Sequence, residues 1–139
     1  MLKNFLKKKE SSNNKNVLII ALLIHAAKID ENYTENEKKI IKKVIMDLNK
    51  ISSNQADELL KLAEIKEEGS NQIIEFTKEI KKYSMEFKLK IVEIIWKIVY
   101  SDGTSDDYES NLIRRICGLL YISDKDNGII KAKVQNLLR

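Results

Sequence analysis

The sequence predicts an all-α protein, a compact bundle of about seven to eight helices with an internal pseudo-twofold repeat. Three observations carry that expectation. The first is turn chemistry: 139 residues hold no proline and four glycines, where average usage gives roughly seven and ten. Hairpin-rich sandwiches and barrels need more turn residues than that. The second is apolar spacing of helical period in eight successive segments. The third is a pattern that returns after 72 residues. A hydrophobic fraction of 43% with 33% charged residues suits one folded domain rather than a disordered chain.

Taken in order, the first predicted helix spans 2–9, with Met1, Leu2, Phe5 and Leu6 on one face and lysines on the other. Ser-Ser-Asn-Asn-Lys-Asn at 11–16 is the one linker-like stretch, so residues 1–16 form a basic arm ahead of a single domain at 17–139. Helices follow near 16–29, 35–49, 53–66, 71–82, 85–101, 107–121 and 124–138. Ser52 and Ser123 each follow an isoleucine and open a fresh pattern, which predicts an N-cap with a hydrophobic staple. Gly69 stands where a left-handed stop is expected, just before a new start at Ser70. The segments 17–27 and 87–100 are apolar nearly all round, which predicts the central pair of the bundle.

The repeat places Asp30 on Asp102, Thr34 on Asp106 and Glu37 on Glu109. Ile40-Ile41 falls on Leu112-Ile113, Val44 on Ile116 and Leu48 on Leu120. Each copy reads as a buried helix, an acidic loop and an amphipathic helix. The loops 30–37 and 102–109 carry four acids each. Thr34-x-x-Glu37 and Asp106-x-x-Glu109 have the spacing of capping boxes, which satisfy orphan helix N–H groups. Clustered carboxylates are also hard oxygen ligands, so Asp30, Glu37, Asp102, Asp106 and Glu109 are candidate ligands for a divalent cation. The sixth and twelfth positions of the loops carry Glu35 and Ile41, Asp107 and Ile113, where an EF-hand needs Gly and Glu. The loops are therefore not EF-hands.

Five lysines against Glu10 give residues 1–16 a net charge of +4, and the remaining chain balances at zero. That balance argues against nucleic acid as a partner. It leaves the basic arm as a candidate for weak association with an anionic membrane surface, which makes a membrane-surface adaptor the alternative function. The apolar run after the arm rises about 16 Å as helix, roughly half a hydrocarbon core, so burial and a cytoplasmic location are expected. A single Cys and a single His exclude a disulfide scaffold and a Cys/His zinc site. His25 reads as a core or interface histidine, Cys117 as a buried thiol and Trp96 as core. Lys42-Lys43 and Arg114-Arg115 read as solvated faces paired with nearby acids. No phosphate loop, HExxH motif or nucleophile elbow is present, and the expectation is a protein that is not an enzyme.

His25-Ala-Ala-Lys-Ile-Asp30 followed by Glu37, and Trp96-Lys-Ile-Val-Tyr-Ser-Asp102-Gly103 followed by Glu109 and Leu-Ile-Arg-Arg-Ile, resemble the tellurite-resistance TerB family. The resemblance covers roughly residues 17–137. It rests on a helix ending in an Asp-Gly-like loop with a downstream Glu, present twice. Glu31 stands in the first loop where Asp102-Gly103 keeps the glycine. The resemblance implies an all-α fold of about seven helices without established catalysis. It also implies a link to tellurite and other stress responses and to metal sensing. The leading expectation is a non-enzymatic interaction module with a protein partner, whose acidic loops bind a divalent cation or a basic partner.

Overall fold

Local side-chain chemistry marks where the helices begin. A computed structural model describes residues 16–29, 33–69, 73–102 and 107–137. The helix predicted at 2–9 and the linker at 11–15 lie outside them. Helix α1, residues 16–27, buries Ile19 through Ile24 together with Ala26 and Ala27. Such a helix has no polar face to offer water, so it runs through the core.

Helix α2 (Glu35–Asn49) opens on the expected capping box. Thr34 Oγ1 accepts from the Glu37 N–H at 3.1 Å, and Glu37 Oε1 accepts from the Thr34 N–H at 2.8 Å. Helix α3 (Ser53–Glu68) repeats the device with Ser52 and Gln55. Helix α4 (Ile74–Ile80) is shorter than the predicted 71–82 and begins without a side-chain cap. Ser70 lies outside the described residues. Helix α5 (Met85–Val99) starts at Ser84, whose hydroxyl accepts from the Phe87 N–H, and runs on into a 3-10 turn at Tyr100–Asp102. Helices α6 (Asp107–Leu119) and α7 (Asp124–Leu137) complete the bundle. Ser123 heads α7 by accepting from the Asp126 N–H at 3.1 Å. The described residues contain no strand and no helix long and apolar enough to cross a membrane.

Helix α5 packs on α2, α6 and α7, while α2 packs on α3 and α6 on both α4 and α7. One hydrophobic cluster joins the buried residues, with both α1 and α5 running through it. Ile20 and Leu23 of α1 and Phe87 of α5 line the same small cavity of about 110 Å³.

The helix stops differ from expectation at Gly69. Its φ of −79° is right-handed, because its N–H still bonds the Ile65 carbonyl as a continuing helix would. The left-handed stops fall instead on Lys50 (φ 51°) and Tyr121 (φ 60°). Lys50 closes α2 with one bond from its N–H to the Met46 carbonyl. Tyr121 sits in a Schellman arrangement: its own N–H bonds the Gly118 carbonyl and the Ile122 N–H bonds that of Cys117. Both stops turn the chain back so that Ile51 and Ile122 pack on the core before the next cap. That geometric need outweighs the cost of a side chain at positive φ.

Candidate functional site

The polar groups nearest the first acidic loop come from three helices. His25 and Lys28 lie at the C-terminal end of α1, where its apolar run gives out. Tyr33, Thr34 and Glu37 head α2, and Glu64 and Glu67 lie near the end of α3. Glu67 continues the buried stripe Ala56, Leu60, Ala63 and is itself only 7% exposed. A carboxylate so placed needs partners. His25 Nδ1 lies 3.2 Å from its Oε1, and Lys28 Nζ donates to its Oε2 at 2.8 Å. The bond to Glu67 raises the Lys28 ammonium above its ordinary pKa, outweighing the opposing effect of burial.

Tyr33 donates its hydroxyl to Glu64 Oε1 at 3.2 Å, and the Lys38 ammonium stands 4.9 Å from its ring centre. Burial pushes the Tyr33 phenol well above its usual range, and the negative charges of Glu64, Glu37 and Glu35 add to that shift. Glu64, Glu37 and Glu35 thus act together on Tyr33, with the Lys38 ammonium at its ring and paired to Glu35.

The candidate ligands separate into three groups. Glu37 is buried at 6% exposure, with Oε1 accepting from both the Thr34 N–H and the Thr34 hydroxyl. Glu109, at the equivalent position of α6, is buried at 5%. Asp102 ends the 3-10 turn after α5, but its carboxylate lies outside the described part of the structure, as do Asp30 and Asp106 altogether. Among the described residues, no three His, Cys, Asp or Glu side chains come together as a metal site.

Elsewhere the polar residues tie helices together. Trp96 is buried and donates its indole N–H to Asn127 Oδ1 at 2.9 Å, and Gln135 Nε2 donates to the Tyr100 hydroxyl at 2.7 Å. Of the basic pairs expected to meet nearby acids, Lys42 pairs with Asp57 at 3.0 Å, while Lys43, Arg114 and Arg115 form no ion pair among the described residues. Burial pushes the Cys117 thiol up to about 12, which leaves it inert as a nucleophile near neutral pH. Sequence reasoning left His25 without a partner because Glu67 is 42 residues away. The signal was a glutamate on the fourth position of an apolar stripe.

These features define an all-helical domain in which buried Glu37 serves as a cap and buried Glu67 as an inter-helix tie beside an acid-rich loop. The family profile described as Tellurite resistance protein TerB matches residues 16–132. The chain belongs to the TerB family, which is not a known enzyme family. No curated protein and no solved structure matches it.

Proposed function

We propose that this chain is a cytoplasmic, non-enzymatic TerB-like interaction module of the stress-response type, whose acidic loops 30–37 and 102–109 take a divalent cation or a basic partner. The observation that supports this most is the convergence of Glu64, Glu37 and Glu35 on Tyr33 beside the first loop. Hydrogen bonds from the Thr34 N–H and hydroxyl hold the Glu37 carboxyl group in one orientation, so its dipole and any charge it bears act from a fixed position. Glu109 recurs at the same helix position and depth in the second copy. Asp30 would join Glu37 at the first loop, and Asp102 and Asp106 would join Glu109 at the second. The glycine after Asp102, replaced by Glu31 in the first loop, favours the second, because glycine restricts the backbone least.

Calcium, magnesium and manganese titrations followed by amide NMR test this, with tri-lysine as the basic probe. The wild type is compared with Asp102→Asn combined with Glu109→Gln. Saturable shifts confined to 30–37 or 102–109, with the second loop's shifts lost in the variant, are expected. If nothing saturates below millimolar probe and the substitutions only lower thermal stability, the carboxylates are caps alone.

A further inference from the structure

A groove of about 630 Å³ runs between α2, α5 and α7, well within the range of ligand-sized clefts. Its apolar surface comes from Ile40 and Val44 of α2, Ile94 of α5, and Val134 and Leu137 of α7. Leu137 is 63% exposed, so a large aliphatic side chain stands at the mouth with water beside it. Lysines 39, 43 and 97 edge the same groove, against the single carboxylate of Asp47.

The four lysines of α2 divide by direction. Lys38 and Lys42 have carboxylates at 3.6 Å from Glu35 and 3.0 Å from Asp57. Lys39 and Lys43 line the groove, and no carboxylate of the described residues pairs with either. Lys97 has only Glu93 at 3.9 Å, and Glu93 is held more closely by Lys133 at 3.0 Å. An apolar trough edged by three lysines, two of them without an ion pair among the described residues, is complementary to a helix with an apolar stripe flanked by acids. The chain's own arm, at a net +4 over residues 1–16, has the wrong charge to fill it.

We infer that the α2–α5–α7 groove docks an acidic amphipathic helix of a partner protein, with Lys39, Lys43 and Lys97 meeting its carboxylates. Asn36 of the first acidic loop and Ser101, just before the second, also line this groove, but the inference does not depend on the loops taking a ligand.

The test titrates the isotope-labelled full chain with a helical peptide bearing leucines at i, i+3 and i+7 and glutamates on both flanks. A twin peptide carries lysines in place of the glutamates. The glutamate peptide is expected to give saturable amide shifts in 39–47, 94–101 and 134–137, and the twin none. Lys39→Glu combined with Lys43→Glu should weaken binding by about tenfold or more. Both lysines are exposed, so an unchanged thermal melt is the control for folding. Equal response to the two peptides, or none at millimolar peptide, overturns the inference. So do two other outcomes: the same shifts from dodecanoate with none from the peptide, which makes this a lipid-anion site, or concentration-dependent shifts without peptide alongside a sedimenting dimer.

Discussion

The indole N–H of Trp96 on α5 donates to the side-chain carbonyl of Asn127 on α7 at 2.9 Å, across 31 residues of sequence. The indole also stacks on Tyr100, with ring centres 5.6 Å apart, and Lys131 lies 5.2 Å over its face. One buried side chain thus holds apolar packing, a hydrogen bond and a cation–π contact between the two helices.

Trp96→Ala is expected to cost roughly 3–5 kcal/mol, because the cavity it leaves lies between packed helices. Asn127→Leu should cost about 1–3 kcal/mol by stranding the indole N–H. Urea unfolding followed by circular dichroism measures both. A loss below about 1 kcal/mol for Trp96→Ala contradicts a core position.

Stability should fall as pH rises from about 9 to about 12, because Cys117, Tyr33, Lys28 and Tyr83, the last raised by burial, hold their protons more tightly in the folded chain. The exposed Tyr121, lowered by Lys81, acts the other way. Cys117 is raised from 9.0 to about 12 by burial, Tyr33 is raised above 10.0 mainly by burial, and Lys28 is raised above 10.5 by its bond to Glu67. The contribution of each is complete below its unfolded pKa and is lost as pH passes through its folded one. Denaturant titrations at neutral and alkaline pH measure the slope, which Cys117→Ala and Tyr33→Phe should each reduce. A constant stability over that window rules out the assignment.

Glycine should be favoured at one helix stop and disfavoured at another. Lys50→Gly is expected to stabilise by about 0.5–1 kcal/mol, the relief of a left-handed side chain outweighing the added freedom of the unfolded chain. Gly69→Ala should stabilise by a similar ~0.4–1 kcal/mol. Its φ is right-handed, and a Cβ there meets the Ile65 carbonyl oxygen at an ordinary 3.6 Å. Differential melting of the two variants checks both signs, and destabilisation by Lys50→Gly counts against the left-handed stop.

Helix starts were legible in the sequence because caps are local. Thr34 reaches Glu37, and Ser52 reaches Gln55, within three residues, and both boxes form. The apolar runs of α1 and α5 were legible for the same kind of reason, since a helix without a polar face can only be buried. Gly69 was misjudged because glycine permits a left-handed stop without requiring one. Lys50 and Tyr121 adopt that conformation because Ile51 and Ile122 must turn towards a core assembled from other helices.

Which groups meet was decided by tertiary structure alone. Glu67 lies one residue past the helix end predicted at 66, and the packing of α1 against α3 supplies His25 and Lys28 as its partners. Periodicity separates Lys38 from Lys39 by about 100° around α2. What lies in each direction, Asp57 and Glu64 beside α3 or an apolar trough beside α5 and α7, depends on chain segments far away in sequence. Backbone angle and cap chemistry are set within a turn of helix. Charge compensation is set by whichever helix arrives alongside, and one chain's local pattern carries no record of that.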